Sequence, residues 1–215
     1  MTLFYIYLLT LFSAILTGAV RFKSLTASFR VLLLLLIYTM VHELLTHTFA
    51  FDVRLNLVLI YFAYALISPL LYLFSFYLEL RSRRTGKYVL MIIAAILLLD
   101  AVYIWNAGVI VGFPSKLIMF STPFLLAGAM LVIWANLNTG FDLPLREKSS
   151  FIFAMAFIVY TAVSFTHLSL YEIVLETKAM KSWSQQIHTY TSMLYYATIG
   201  YSFWIDARQP GKSSI

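Results

Sequence analysis

Residues 31–50 read VLLLLLIYTMVHELLTHTFA. From Val31 to Val41 no residue is charged, and the run as a whole is as long as a bilayer crossing requires, about 20 mostly apolar residues for a core of about 30 Å. Lipid offers no partners to backbone N–H and C=O groups, so a segment inside it must bond to itself as a helix or close into a barrel. Barrel strands alternate apolar and polar positions over about ten residues, a pattern this stretch lacks. It is therefore a membrane helix. Six more runs of the same kind lie at 2–20, 55–79, 89–112, 117–138, 150–171 and 184–206, each ending where charge collects. The expectation is an all-α integral membrane protein, one seven-helix transmembrane domain covering residues 1–215.

Composition agrees. Of 215 residues 62% are hydrophobic and 11% charged, and the mean hydropathy is +0.88. A soluble domain is about half apolar and a quarter charged, so a soluble globular protein, a disordered tail and a nucleic-acid-binding domain are excluded. The chain has no cysteine, which excludes disulfides, thiolate-bound zinc, iron–sulfur clusters and cysteine nucleophiles. The first run has no basic residue ahead of it, since the first cation is Arg21. It reads as a span and not as a cleavable signal.

Cationic loops stay in the cytoplasm. Eleven Lys and Arg residues fall in loops 1–2, 3–4, 5–6 and the tail, against four in the other loops. The N-terminus is expected outside and the C-terminus in the cytoplasm. The net charge of +6 is thus a topology signal and a contact for anionic membrane lipids. No connecting loop is much longer than about a dozen residues, by the spacing of the apolar runs. Chemistry or signalling must then take place between the helices or through a membrane or signalling protein partner.

Short matches recur at nearly one offset. Thr17-Gly18 is matched by Thr139-Gly140, Ile37-Tyr38-Thr39-Met40-Val41 by Val159-Tyr160-Thr161-Ala162-Val163, and Ser68-Pro69-Leu70-Leu71-Tyr72 by Thr191-Ser192-Met193-Leu194-Tyr195. They place helices 1, 2 and 3 on helices 5, 6 and 7 with helix 4 as connector, a candidate 3+1+3 internal repeat of the parallel kind found in some transporters. Chance matches in so apolar a chain are the competing explanation.

Polar groups inside spans usually face the bundle interior and are functional candidates. Helix 2 carries Thr39, Glu43, Thr46 and His47 on one face, helix 3 carries Tyr61, Tyr64, Ser68, Tyr72 and Ser75, and helix 4 carries Asp100 near mid-membrane with Tyr103 beyond it. Helix 6 carries Tyr160, Ser164, His167 and Tyr171, and helix 7 carries Ser184, His188, Thr191 and Tyr195. With the directions assigned above, all four histidines and Glu43 fall in the outer half. This predicts a polar pocket open to the outer face, lined by Glu43, His47, Asp100, His167 and His188 and walled by Tyr64, Ser68, Tyr160 and Tyr195.

Metal and cofactor chemistry has weaker footing. His42-Glu43-Leu44-Leu45-Thr46-His47 has its histidines five apart, whereas a zinc protease needs them four apart on one face. His42 fits an interhelical or interfacial role instead. Glu43, His47, His167 and His188 are suitable zinc ligands, and the histidines are suitable haem ligands. No fixed spacing links them, so structural hydrogen bonding is the leading account and no cofactor is predicted. No lysine lies in the middle of helix 7, which excludes a retinal Schiff base at the usual place, and there is no phosphate-binding loop or serine nucleophile elbow. Gly108 and Gly112 suit close helix packing, and Pro69 and Pro123 should kink helices 3 and 5.

The chain resembles a broad group of uncharacterised small seven-helix inner-membrane proteins of Bacteroidota. The likeness lies in Phe29-Arg30 followed by Glu43-Leu44-Leu45, in Tyr61 with Ser68-Pro69-Leu70, in Phe151-Ile152 with Ile158-Val159-Tyr160, and in Ile187-His188. The group's pattern places an acidic residue after Pro-Leu, where this chain has Leu71, and an asparagine after the helix 7 histidine, where it has Thr189 and Thr191. The resemblance implies a multi-pass protein of the bacterial inner membrane with a sensory or accessory role, and no established activity.

The expected function is a sensory or accessory module that binds a small molecule, lipid or partner protein in that pocket, and enzymatic activity is not the leading expectation. A small facilitator with a 3+1+3 repeat is the alternative, and a metal-dependent intramembrane hydrolase the next.

Overall fold

The computed structural model describes residues 2–49, 54–107, 115–138, 144–173 and 178–209. Among them are seven α-helices and no strand: α1 (Thr2–Val20), α2 (Ala27–Phe49), α3 (Arg54–Leu80), α4 (Thr85–Ala107), α5 (Ser115–Asn138), α6 (Ser149–Ile173) and α7 (Lys178–Asp206). The first six contain stretches long and apolar enough to cross a membrane, the make-up of a multi-pass membrane protein. By composition α7 is not among them, although at 29 residues it is the longest. Gln185, Gln186, His188 and a run of hydroxyl side chains in its first half lower its apolarity. The Gly108/Gly112 pair and Thr139-Gly140 lie outside the described residues, as does the side chain of Tyr171.

Helix ends follow local chemistry. After α1, Phe22–Ser24 make one 3-10 turn carrying Lys23. Between α3 and α4 the chain turns in four residues, and a Cβ at Gly86 would lie 2.6 Å from the Leu80 carbonyl oxygen. Only a residue without a side chain fits there. Before α6, extended Pro144 leads into a second 3-10 turn, Leu145–Glu147. Pro69 and Pro123 sit inside α3 and α5 without ending either helix, which membrane helices tolerate where neighbours satisfy the freed carbonyl.

The chain folds as two compact units, one of Met1–Thr26 with Val132–Ile215 and one of Ala27–Leu131. In the second unit α2 and α3 pack antiparallel. The seam on α2 is Ser28, Leu32, Leu35, Thr39, His42 and Thr46, all buried and spaced alternately four and three apart. That 3.5-residue repeat is what keeps one stripe against a partner helix. Ser28 is met by Ser75, hydroxyl to hydroxyl at 3.0 Å, Thr39 by the Tyr64 hydroxyl at 3.3 Å, and His42 by the Tyr61 ring. Helix α4 packs on α3, and α5 reaches α3 through Leu117 beside Phe62 and Ala65 and through Gly128. A Cβ on Gly128 would lie 3.0 Å from side-chain carbons of Leu73 and Phe76.

In the first unit α7 packs between α1 and α6. Gly200 lets α1 approach, since a Cβ there would be 3.4 Å from the Ala14 Cα. At the end of α7, Asp206 is 2% exposed and accepts two hydrogen bonds, from the Thr26 backbone N–H at 2.8 Å and from the Ser149 hydroxyl at 3.0 Å. It ties together the lead-in to α2, the first residue of α6 and the last of α7. Beside it, Ser150 bonds Asn136 and the Lys148 ammonium caps the Asn136 carbonyl at 3.0 Å.

Candidate functional site

The expected pocket residues divide between the units. Glu43, His47, Tyr64, Ser68 and Asp100 belong to the second, and Tyr160, His167, His188 and Tyr195 to the first.

In the second unit Tyr64 is the centre of a ring stack. It lies 4.1 Å from the His42 ring at 18° and 5.7 Å from Tyr38 at 20°, while Tyr61 meets the edge of His42 at 5.3 Å. His42, only 7% exposed, is thus closed in by two tyrosines. Glu43, one residue on, is half-buried, and His47 in the last turn of α2 is exposed. Ser68 is buried one turn beyond Tyr64, and Asp100 is half-buried on α4. Sequence reasoning placed Thr39, Glu43, Thr46 and His47 on the inward face. The structure keeps the two threonines and puts His42 between them. Extending the apolar seam Leu32–Leu35 by threes and fours through Thr39 would have found it.

In the first unit the four expected residues come together along α6 and α7. Tyr160 and Tyr195 stack at 4.3 Å and 6°, and Tyr160 lies 6.1 Å from His188. His188 stacks on His167 at 4.9 Å and 24°. Serines hold both imidazoles: Ser164 Oγ lies 3.1 Å from His188 Nε2, and Ser184 Oγ lies 2.6 Å from His167 Nδ1. Each contact joins one helix to the other, so residues running up α6 meet residues running back down α7. Tyr195 is buried at the foot of this ladder, whereas Tyr160, Ser164, His167, Ser184 and His188 are half-buried. Antiparallel packing explains the grouping, because polar positions three and four apart on each helix fall on the shared face.

The arrangement is suited to some chemistry and not to other. Two imidazoles that share a tetrahedral ion aim their nitrogens at one point. Here the rings are nearly parallel, so their in-plane lone pairs run side by side. Among the described residues no group of three or more His, Asp or Glu is gathered as metal ligands would be, and the proposed set Glu43, His47, His167 and His188 gains no support. Both Ser–His contacts are within reach of a nucleophile and its base. Acyl transfer also needs N–H groups aimed at an oxyanion, and Ser164 and Ser184 sit within helices α6 and α7, whose amides bond along the helix. What the ladder offers is flat aromatic faces beside hydrogen-bonding imidazoles and hydroxyls, partly open to the surroundings. That suits reversible binding of a small molecule.

Compared with known proteins, the chain matches no family, no curated protein and no solved structure. Fold and site together define the class and nothing narrower: an all-helical, multi-pass membrane protein.

Proposed function

We propose that this chain is a sensory or accessory protein of the bacterial inner membrane, with seven spans, the N-terminus outside and the C-terminus in the cytoplasm. It takes a small molecule at the outer ends of α6 and α7 and acts through a partner protein. The carrying observation is the His167–His188 stack, pinned by Ser184 and Ser164 and continued by Tyr160 and Tyr195. The proposal makes α7 the seventh span. Its polar side chains support this, because Ser184 and His188 bond to α6 while Thr191 and Ser192 return to carbonyls of α7. A polar group already satisfied by a partner or by its own helix costs much less in lipid.

The test is gentle purification from native membranes followed by native mass spectrometry, with His188→Phe for comparison. A molecule that copurifies with the wild-type chain and is lost from His188→Phe supports the reading. Wild-type protein that carries no small molecule, and shows no partner on cross-linking in intact membranes, overturns it.

A small facilitator is the second reading, and packing favours it. At the offsets of the sequence repeat, buried Leu32, Leu35 and Thr39 on α2 correspond to buried Ala154, Phe157 and Thr161 on α6, and Tyr72, Phe76 and Leu80 on α3 correspond to Tyr195, Ile199 and Phe203 on α7. The pair α2/α3 thus has a counterpart in α6/α7, and α5 against α3 has one in α1 against α7. Substrate flux in proteoliposomes, abolished by Asp100→Asn, would favour this reading over the first.

A further inference from the structure

Outside the ladder, the first unit carries a groove of about 460 Å³ between α1 and α7. It runs from Ile6 to Thr17 on α1 and from Tyr196 to Trp204 on α7. Ala14, Ala197 and Gly200 leave its floor low, and Tyr201 and Trp204 bound it on one side. Thr10, Ser13 and Thr17 line it too, but each hydroxyl donates to a carbonyl one turn back, Ile6, Leu9 and Ser13 respectively. These three hydroxyls are therefore satisfied within α1, and the rest of the lining is aliphatic and aromatic side chains, a poor site for a polar solute and a good one for hydrocarbon.

Its two ends differ. From Ile6 to Thr17 is about 16 Å at 1.5 Å per residue, close to half of a bilayer core of about 30 Å, the depth of one leaflet. Among the described residues, none lining the far end is Lys or Arg. Beyond Thr17 and Trp204 stand Arg21, Lys23 and Arg208, and the Thr26 N–H bond to Asp206 fastens the lead-in to α2 to the end of α7 there. Arg208 already lies over the Trp204 ring, 3.4 Å from its centroid. Hydrocarbon along the groove and negative charge at its basic mouth are the two halves of one molecule.

We propose that the α1/α7 groove holds an acyl chain of an anionic phospholipid of the cytoplasmic leaflet, its phosphate at Arg21, Lys23 and Arg208. A transmembrane helix of a partner would also cover small residues, but it would not call for three cations at one end. The proposal rests on the reading of α7 as a span that ends in the cytoplasm, and the test separates the two.

A chain with Trp204 as its single tryptophan (Trp105, Trp134 and Trp183 changed to Phe) is reconstituted in bilayers doped with brominated phosphatidylglycerol or, at equal mole fraction, brominated phosphatidylcholine. Bromine quenches tryptophan only in contact, so the ratio of quenching reads relative occupancy. The expectation is at least about a fivefold preference for phosphatidylglycerol at 0.05 M salt, falling to below twofold when Arg21, Lys23 and Arg208 are changed to Gln and when salt is raised to 1 M, where charge is screened within about 3 Å. Ala197→Phe, which fills the groove and keeps the cations, should lower quenching by both lipids. Equal quenching by the two lipids, or a preference the Gln variant keeps, overturns the groove proposal and leaves the span intact. Trp204 quenched by neither lipid overturns the span. Trp204 shielded in native membranes but quenched in reconstituted bilayers assigns the groove to a protein helix and overturns the lipid.

Discussion

Asp206→Ala should be among the most damaging single changes in the chain. Its carboxylate is 2% exposed and accepts from the Thr26 N–H at 2.8 Å and the Ser149 hydroxyl at 3.0 Å, two groups 180 and 57 residues away in sequence. A hydrogen bond to a charged acceptor contributes about 1.5–3 kcal/mol, and a buried donor left without one costs about 1–3 kcal/mol. The two losses share one site and do not simply add, so a net cost of about 3–5 kcal/mol is expected. For a chain of this size each kcal/mol shifts the melting temperature by roughly 2–4 °C, so Asp206→Ala should melt about 10 °C below wild type. Asp206→Asn keeps the shape and one carbonyl oxygen, and should lose about half as much. The assay is thermal unfolding of detergent-solubilised protein followed by intrinsic fluorescence, together with hydrogen exchange at the Thr26 amide. That amide should lose protection in the Ala variant before the amides of α2 do. A melting temperature within about 2 °C of wild type, with Thr26 still protected, would refute the assignment of Asp206 as the tie between these three elements.

Three further outcomes follow from burial and close approach. His42→Ala opens a cavity between Tyr61 and Tyr64 and should destabilise by about 2–4 kcal/mol, while His47→Ala, at an exposed site, should stay within about 0.5 kcal/mol; paired melting curves check the contrast. Gly86→Ala would drive a Cβ to 2.6 Å from the Leu80 carbonyl and should cost about 1–3 kcal/mol, whereas Ala94→Gly, mid-helix and exposed on α4, should cost about 1 kcal/mol. Because the chain has no cysteine, single-cysteine labelling needs no background removed: Trp183→Cys, 71% exposed, should react with an impermeant maleimide on intact spheroplasts and Arg84→Cys only after permeabilisation. The opposite labelling pattern would invert the proposed orientation.

Helices were legible because lipid allows only helices and closed barrels, and unbroken apolar runs of this length exclude barrel strands. The expected run 2–20 and the helix Thr2–Val20 coincide, and the others agree to within several residues. Composition alone was a weaker guide to α7, since hydropathy averages over all faces and so counts against a helix the polar groups it turns toward its neighbour. On α2 the spacing was read as a 3.6-residue face, and the packed seam follows 3.5; over the two turns from Thr39 to Thr46 this puts His42 inside and leaves Glu43 at the edge. The Asp206 tie had no local signal at all. Its partners are an N–H, which every residue but proline has, and a serine far along the chain. A position read as a boundary charge became a buried acceptor through long-range packing only.

The two antiparallel pairs solve one packing problem with different residues, and the difference bears on where function lies. In α2/α3 the histidine is closed in: His42 is buried, with Tyr64 on its face and Tyr61 at its edge. A ring held that way serves packing, and a ligand would have to displace a tyrosine to reach it. In α6/α7 the matching stretch carries two histidines, both half-buried and each tethered by a serine of the opposite helix. Stacked imidazoles lose aromatic contact area relative to a tyrosine pair, and when both are protonated they repel one another. A pair selected for stability alone would favour the Tyr160–Tyr195 arrangement about two turns further in, which stacks at 6° and is partly buried. On the repeat reading and the proposed function together, the two halves began alike, and the α6/α7 copy gave up packing at its open end for groups that would bind. Residues that break the packing rule their own neighbours obey are where a binding function is most economically placed.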